Sequence, residues 1–293
     1  MSPRQHATRL HGRPAAAHAP LQLRLMRGLF ASLGRPLPGL MGRWAYRLWF
    51  RTRRYPEPAA GRRAAERATR TTLTVDSIPV AVYSWGEGPV VLFVHGWSGR
   101  GSQVAAFIEP LNAAGYRVLA VDAPGHGDTP GERTNILECA RVLDAVGKEY
   151  GPLHAAITHS FGGMVLAYAM NHGLMVGRAV CLSAPARVEF LVERFARTLA
   201  MPAGVVAVLR RRMERRFDNN IWELISTDTN ARRLSAPALI IHDADDAGVP
   251  WEQGRLIADA WPEARFVRTE GLGHNRILRD PGVVRQVVAF ITV

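Results

Sequence analysis

Short apolar runs and longer amphipathic segments alternate along the chain from residue 71 onward. The short runs predict eight strands, and segments with apolar residues three or four positions apart predict the helices between them. The predicted strands are Thr71–Val75, Val80–Trp85, Val90–Val94, Arg117–Val121, Ala155–Thr158, Arg178–Leu182, Ala238–Ile241 and Arg265–Thr269. This alternation predicts an α/β fold with a mainly parallel, eight-stranded sheet and helices on both faces.

The alternation is interrupted between about residues 185 and 235, where the sequence contains no convincing strand. Phe190, Leu191 and Phe195 recur at helical spacing there. A segment of about 50 residues is too long for a simple connection, so we expect a short helical lid over a site. Its basic cluster has two interpretations, a solvated helix face or a surface that attracts an anionic substrate or membrane. The cluster consists of Arg210, Arg211, Arg212, Arg215 and Arg216.

Residues 1–70 form an Arg-rich extension that precedes the predicted α/β domain of residues 71–293. Residues 1–20 are rich in Pro, Ala, His and Arg and are predicted to be disordered. From about 36 to 55, apolar residues such as Leu40, Met41 and Trp44 recur at helical spacing, with arginines on another face. This amphipathic helix packs against the rest of the protein or, as the alternative, makes residues 21–55 a peripheral membrane contact. Residues 56–70 are predicted to be a polar linker.

The net charge of +12 is concentrated in the extension. Residues 1–72 contain 15 Arg against Glu57 and Glu66, which gives +13, whereas the rest of the chain carries −1. The basic charge therefore belongs to the extension, and no nucleic-acid-binding motif accompanies it, so we expect no nucleic-acid partner.

Cysteine spacing and hydropathy limit the classes of protein further. Cys139 and Cys181 are too far apart in sequence to suggest a metal site or a redox pair, and we expect two small buried side chains. Arginines interrupt the N-terminal segment, which excludes the continuous apolar core of a signal peptide. No run approaches the ~18 apolar residues of a membrane span. We therefore expect a cytoplasmic protein, with association to a membrane surface as the alternative.

The strongest chemical signal is Thr158-His159-Ser160-Phe161-Gly162-Gly163, between a predicted strand and a predicted helix. A serine on such a turn projects its hydroxyl above the sheet, and small neighbours allow the close approach of strand and helix. The segment resembles the nucleophile elbow G-x-S-x-G of the α/β-hydrolase family. It departs from that pattern at Thr158, where the family has Gly. The resemblance extends over about residues 72–293.

Two further segments strengthen the resemblance. His95-Gly96-Trp97 follows a predicted strand, as the oxyanion loop does in the family. The resemblance implies an oxyanion hole formed by the backbone N–H groups of Trp97 and Phe161. The segment that starts with Asp122 and continues to Asp128 resembles the family's D-x-P-G-x-G-x-S and is expected to have a structural role.

The family also supplies candidates for the base and the acid of a catalytic triad. His274 follows the last predicted strand, where the family places its base. His242-Asp243-Ala244-Asp245-Asp246 is similar to the family's H-G-x-x-D, which aligns Asp246 with the acid and puts Asp243 in place of a Gly. Asp245 remains the alternative acid. The order Ser160, Asp246, His274 is the order that this fold uses.

The predicted reaction is cleavage of a carboxylic ester, with an apolar acyl group, through an acyl-enzyme on Ser160. The resemblance requires neither a cofactor nor a metal. A thioesterase, a lactonase and a C–C bond hydrolase of the same fold are the alternatives, because fold does not decide substrate. A ligand-binding protein that hydrolyses slowly or not at all is the alternative from another class.

Overall fold

The computed structural model describes residues 20–293. Residues 1–19, and with them nearly all of the predicted disordered segment, lie outside the described part. Eight strands form one sheet in the order β1-β2-β4-β3-β5-β6-β7-β8. Their bounds are Thr69–Val75, Ile78–Trp85, Val90–Val94, Arg117–Val121, Leu153–His159, Val176–Leu182, Ala238–Asp243 and Ala264–Thr269 for β1 to β8.

The sheet is parallel from β4 to β8 in spatial order and antiparallel at one edge. β1 and β2 form a hairpin around Asp76 and Ser77, and β2 also pairs with β4 in antiparallel register. Every other neighbouring pair is parallel. The predicted eight-stranded, mainly parallel sheet is therefore confirmed.

Helices cover both faces of the sheet because its central strands are apolar on both sides. In β3 all five residues are buried, with Val91 and Phe93 in one core and Leu92 and Val94 in the other. Such two-sided burial is typical of a parallel strand. The helices that flank the sheet are α3 (Ala59–Glu66), α4 (Ala105–Ala113), α5 (Ile136–Tyr150), α6 (Phe161–Asn171), α11 (Trp251–Ala260) and α13 (Pro281–Ile291). The short helix α12 (Gly273–Arg276) follows β8.

Four helices follow β6 in the segment predicted to be a lid: α7 (Val188–Leu199), α8 (Ala203–Arg216), α9 (Ile221–Leu224) and α10 (Thr227–Ala231). Three arginines of the basic cluster lie over aromatic rings. Arg210 lies 4.4 Å from the Trp222 ring centroid, and Arg212 lies 5.4 Å from that of Tyr46. Arg216 lies 5.3 Å from the centroid of Phe217. Part of the cluster therefore stabilises helix packing by cation–π contacts.

Two helices of the extension, α1 (Leu21–Leu33) and α2 (Pro38–Trp49), pack against α7 and α8. Met41 and Ala45 of α2 are buried together with Phe30, Leu199 and Val205. A Cβ at Gly42 would collide with Val208, so α2 and α8 approach closely at this glycine. Most of the apolar face that the sequence offers as a membrane contact in α2 thus packs against the protein, whereas Leu40 stays exposed.

The extension departs from its prediction at the end of α2 and in the presence of a second helix, α1. The helix ends at Trp49 and not near residue 55, because the next residues bind the loop after β4. Thr52 N–H donates to the Glu132 carbonyl oxygen (2.9 Å), and Arg54 Nη2 donates to that of Thr129 (2.7 Å). In addition, α1 lies before the predicted start of the helix at residue 36.

The prediction of a polar linker over residues 56–70 is wrong, because helix α3 occupies Ala59–Glu66. Its packed face consists of Gly61, Ala64 and Ala65, which are small, so the segment has little apolar periodicity. The indole N–H of Trp85 donates to the Ala64 carbonyl oxygen at 2.9 Å and fixes α3 against the sheet. None of the helices in residues 20–293 is both long enough and apolar enough to span a membrane.

Candidate active site

Ser160 occupies the turn between β5 and α6 with φ 50° and ψ −120°. A positive φ is uncommon for a residue with a side chain, and it is the conformation expected of a serine on a sharp strand-to-helix turn. The Ser160 N–H donates to the Leu182 carbonyl oxygen (2.9 Å), and the Gly163 N–H donates to that of Ser160 (3.0 Å). These two bonds hold the turn at the carboxyl edge of the sheet.

The residues two positions from Ser160 explain how this turn fits. A Cβ at Gly162 would collide with the Val94 carbonyl oxygen and lie 2.9 Å from that of His95, so α6 requires glycine where it crosses the end of β3. Thr158 is fully buried, and its hydroxyl donates to the Val180 carbonyl oxygen at 2.9 Å. The departure from the G-x-S-x-G pattern is therefore accommodated, because the extra hydroxyl has an acceptor.

Asp246 and His274 lie together at the ends of β7 and β8. The Nδ1 of His274 is 2.7 Å from Oδ2 of Asp246, while Oδ1 accepts the N–H groups of Gly248 (2.7 Å) and Val249 (2.8 Å). Burial by itself raises the pKa of Asp246, but hydrogen bonds from His242 and His274 and from these amides lower it below its usual value. Asp246 is therefore a buried carboxylate that orients the His274 ring through Nδ1.

The alternative acid, Asp245, points elsewhere. It is exposed, and its Oδ2 accepts the Gly271 N–H at 2.8 Å. No hydrogen bond joins it to the His274 ring within residues 20–293. Of the two aspartates that the sequence left open, the geometry places Asp246 beside the imidazole.

Asp243, which the resemblance treats only as a departure from Gly, is a central element of the site. Its buried carboxylate accepts the N–H groups of Asp245 (3.0 Å), Leu272 (3.1 Å) and Gly273 (2.8 Å) and the hydroxyl of Thr269 (2.7 Å). Burial raises its pKa, but these hydrogen bonds outweigh burial and lower the pKa below the usual value. Asp243 thereby ties the loop that carries Asp246 to the loop that carries His274.

His159 is a second residue that the motif does not assign. Its Nε2 donates to the backbone carbonyl oxygen of His274 at 2.8 Å, and the two imidazole rings are 4.8 Å apart. Burial and the neighbouring His274 lower the pKa of His159 to about 3, so the ring is neutral. A neutral ring that donates from Nε2 leaves Nδ1 unprotonated, and Nδ1 is buried without a hydrogen-bond partner in the described structure. His159 thus holds the backbone of His274 beside the elbow.

The loop after β3 passes next to the elbow. A Cβ at Gly96 would lie 3.1 Å from the Cβ of Ser160, and the rings of Trp97 and Phe161 meet edge to face at 5.0 Å. His95 fixes this loop, since its Nε2 accepts the Ala123 N–H (3.0 Å) and its Nδ1 donates to the Gly96 carbonyl oxygen (2.7 Å). Burial lowers the pKa of His95 to about 4, consistent with a neutral ring. As the first residue of α6, Phe161 also has an amide with no acceptor inside the helix.

A cavity of about 620 Å³ lies between the sheet edge, the lid helices and α1 and α2. Ser160, Phe161, Trp97 and His274 line it, so four of the predicted site residues share one space, and Asp246 lies behind His274. No hydrogen bond joins the Ser160 hydroxyl to the His274 ring in the described structure. Such contacts are often long in the absence of substrate and tighten when it binds. The same residues 20–293 contain no cluster of three or more metal-ligating side chains.

The comparison with known families agrees with this geometry. The model of the alpha/beta hydrolase family matches residues 91–287. The chain belongs to the α/β-hydrolase family. It is therefore a hydrolase by fold and family, and the family's site lies at the carboxyl ends of the strands, where Ser160, Asp246 and His274 are found.

The names of similar proteins indicate several different activities within this family. A non-heme chloroperoxidase of Kitasatospora aureofaciens is 33% identical over 71% of this chain and 93% of its own length. A pimeloyl-[acyl-carrier protein] methyl ester esterase of Aromatoleum aromaticum is 27% identical over 66% and 94%. The human protein ABHD12B is 26% identical over 70% of this chain, and the chain spans only 60% of it.

Solved structures agree on the fold. An esterase (EaEST) of Exiguobacterium antarcticum matches with a TM-score of 0.59 at 17% identity, over 77% of this chain and 99% of that chain. An esterase of a Rhodococcus species matches with a TM-score of 0.57 at 18% identity, over 77% and 98%. At these identities the likeness concerns the fold alone.

Proposed function

We propose that this protein cleaves carboxylic esters through an acyl-enzyme on Ser160. The observation that carries the proposal is the 2.7 Å hydrogen bond between Asp246 and His274 at the wall of a cavity that also contains the strained turn of Ser160. Nucleophile, base and acid then occur in the chain order and at the strand ends that this family uses.

In the proposed reaction, the Ser160 oxygen attacks the ester carbonyl carbon while His274 takes the hydroxyl proton. The oxyanion accepts hydrogen bonds from the backbone N–H groups of Trp97 and Phe161, each of which lowers the barrier by ~3 kcal/mol. His274 then gives its proton to the leaving alcohol, and the C–O bond breaks. Water then attacks the acyl carbon while His274 takes its proton, the bond to the Ser160 oxygen breaks, and His274 returns the proton to that oxygen as the carboxylic acid leaves. Asp246 stabilises the imidazolium whenever it forms.

The lining of the cavity supports an apolar acyl group. Away from Ser160, its walls are formed mainly by aliphatic, aromatic and methionine side chains of α1, α2, the lid and α6. Binding an apolar chain there removes its surface from water, which favours binding by ~25 cal/mol per Å². Relatives named as esterase and lipase act on esters, which agrees with this substrate class.

A fluorophosphonate probe tests the proposal directly, because it labels an activated serine covalently. We expect the wild-type protein to be labelled and Ser160→Ala to be unlabelled. Ser98→Ala is the matched control, since Ser98 lines the same cavity, and it should retain the label. Hydrolysis of p-nitrophenyl esters of increasing acyl length then measures the preference for an apolar acyl group.

Two outcomes would contradict the proposal. A folded wild-type protein that takes no label and hydrolyses none of the esters would be a ligand-binding protein. A label that persists in Ser160→Ala and disappears in Ser98→Ala would move the nucleophile to another residue.

A further inference from the structure

The cavity combines three arginine side chains with an absence of carboxylates. Arg51, Arg53 and Arg194 line it, and no Asp or Glu of residues 20–293 does. Within residues 20–293 none of these three guanidinium groups has a hydrogen bond or an ion pair with the protein. Arginine is the residue best suited to bind carboxylate and phosphate groups, and here its donors are unused.

Arg194 reaches the candidate catalytic pair from helix α7. Its Nη1 lies 3.2 Å from the position that a Cβ would take at Gly248. The same position is 3.0 Å from Oδ1 of Asp246 and 3.2 Å from Cγ of His274. The guanidinium group therefore lies on the His274 side of the cavity, although it is too far from Asp246 for an ion pair.

Arg53 belongs to the segment after α2 and lines the same cavity. Its backbone N–H donates to the Ser98 hydroxyl at 3.0 Å, and Ser98 follows Trp97 in the loop next to the elbow. Arg194 thus places positive charge on the His274 side of the cavity, and Arg53 lines the same cavity.

The position of Arg194 also indicates which half of the substrate carries charge. In an esterase the histidine protonates the leaving alcohol, so the alcohol half lies at His274 and the acyl half extends away from it. We propose that the substrate is an amphiphilic ester whose alcohol half carries an anionic carboxylate or phosphate group, bound by Arg194 and assisted by Arg53. This inference rests on the ester hydrolysis proposed above.

Two esters with the same acyl chain test the inference: 4-nitrophenyl octanoate and 3-carboxy-4-nitrophenyl octanoate, which adds one carboxylate to the leaving group. We expect the wild-type enzyme to have a kcat/KM about tenfold or more higher for the carboxylated ester, mainly through KM. Arg194→Met should bring this ratio close to one. Arg197→Met is the control, because Arg197 lies on the same helix outside the cavity, and it should keep the ratio.

The result that would overturn the inference is an equal loss of kcat/KM on both esters in Arg194→Met, or a wild-type enzyme without preference. Either result leaves ester hydrolysis itself intact, provided that Ser160 is labelled by the fluorophosphonate. Failure of both esters together with an absence of labelling would instead refute the proposed function.

A second, independent feature is a row of exposed leucines on α1 and the start of α2, named here the leucine stripe. Its members are 38–68% exposed, and the four on α1 recur every four residues on one side of the helix. Protein surfaces rarely expose a contiguous apolar patch without a partner. The stripe consists of Leu21, Leu25, Leu29, Leu33, Leu37 and Leu40.

The charge around the leucine stripe identifies its partner. Residues 20–56 contain eight Arg and neither Asp nor Glu. Four of these arginines are exposed, lie outside the cavity lining and have no side-chain hydrogen bond to the described part of the protein: Arg24, Arg35, Arg43 and Arg47. A second copy of this chain would bring the same positive charges face to face, which disfavours a dimer through this surface. An anionic bilayer satisfies both features, because apolar residues enter the boundary between headgroups and acyl chains while arginines bind the headgroups.

We infer that the leucine stripe docks on the surface of an anionic membrane. Other residues of the same helix, Leu23 and Met26, line the cavity, so docking places the cavity beside the lipid. Of the apolar face of α2 that the sequence suggested, only Leu37 and Leu40 belong to this surface, because Met41 and Ala45 are buried.

Sedimentation with vesicles tests this docking. We expect the full chain to bind vesicles of phosphatidylcholine that contain about 30% phosphatidylglycerol, whose anionic headgroups attract arginines. Binding to vesicles of pure phosphatidylcholine should be weak. The double variant Leu25→Ser, Leu29→Ser should lose about tenfold in partitioning. Met175→Ser is the control, since Met175 is 80% exposed just before β6, at the sheet edge opposite Ser160. A thermal midpoint equal to that of the wild type verifies that each variant is folded.

Two results would overturn the membrane assignment. Equal binding by the wild type and the double leucine variant would remove the leucine stripe from the contact. A dimer that forms in solution and is lost in the double variant would assign the stripe to a second copy of the chain.

Discussion

Asp243→Asn is the substitution that best tests how the two loops of the site are held together. The carboxylate of Asp243 accepts four hydrogen bonds, two at each oxygen. Oδ1 receives the N–H groups of Asp245 and Gly273, and Oδ2 receives the Thr269 hydroxyl and the Leu272 N–H. An asparagine has the same shape but one acceptor oxygen fewer, so the substitution changes hydrogen bonding without creating a cavity.

The size of the loss in stability depends on where the new NH₂ group of the asparagine lies. It is best placed at Oδ2, because the Thr269 hydroxyl can rotate to accept, whereas the Leu272 N–H can only donate. One charge-assisted hydrogen bond is lost and two donors face each other. Together these changes lower the free energy of unfolding by about 2–4 kcal/mol. For a chain of this size that corresponds to a decrease of about 5–15 °C in Tm. We also expect kcat to fall about tenfold, because Gly273 precedes His274 and a small displacement of the base slows proton transfer.

The pH dependence gives a second readout with a definite sign. The pKa of Asp243 is lower in the folded protein than in the unfolded chain, so its contribution to stability is present above the unfolded value of about 3.9. It is lost as the pH falls through the lower, folded pKa. The difference in the free energy of unfolding between wild type and Asp243→Asn should therefore be constant near pH 7 and should narrow below about pH 4.

Urea unfolding, followed by tryptophan fluorescence, measures this difference in the free energy of unfolding. The measurements are made at pH 7 and at several pH values within about one unit of the unfolded pKa of Asp243. Asp245→Asn is the control, because it alters one hydrogen bond of an exposed carboxylate and should cost less than about 1 kcal/mol. Equal stability of wild type and Asp243→Asn at neutral pH would refute the reasoning. So would a difference that does not change with pH.

Three other predictions concern neighbouring residues. Asp246→Asn should lower kcat for p-nitrophenyl esters about 10³–10⁴-fold, whereas Asp245→Asn should stay within about threefold of the wild type, and similar losses would reopen the choice of acid. Gly162→Ala places a methyl group against the Val94 carbonyl oxygen and should lower the free energy of unfolding in urea by about 1–3 kcal/mol or more. Burial raises the pKa of Cys139 to about 12 and that of Cys181 to about 11, so Ellman's reagent should label neither in the native protein and both in urea, and rapid native labelling would contradict their burial.

The strands and the elbow could be predicted because each depends on a local pattern. Val90–Val94 is apolar at every position, and this is the pattern of a strand covered on both faces. Ser160 lies between such a strand and a helix, with glycine where the two come close. In both cases the property that forms the structure is visible within a few consecutive residues.

The extension was harder to predict because its packing depends on partners that are distant in sequence. Ala64 and Ala65 pack α3 against the sheet, yet alanines give little contrast between faces. In α2, the sequence shows an apolar face but not what covers it, and the answer lies in Val205 and other residues of the lid.

Within the site, the sequence identified the residue types but not all of their connections. Three aspartates near the end of β7 were visible, but their separate roles depend on loops that follow 26–30 residues later, where Gly271, Leu272 and Gly273 donate to them. Arg194 carried no signal at all, because a basic residue on an amphipathic helix normally indicates a solvated face.

Part of the cavity wall lies outside the region that the family model matches. The family model begins at residue 91, so Arg51, Arg53 and the leucine stripe precede it. Arg51 and Arg53 are nevertheless part of the cavity lining, because α1, α2 and the segment after them form one wall of the cavity and the lid forms another. We expect substrate access to depend on the extension and the lid, because both line the cavity in front of the sheet edge. Deleting the extension would therefore expose the lid and open the cavity at once, and for that reason single substitutions such as Arg194→Met separate substrate recognition from catalysis better than truncation does.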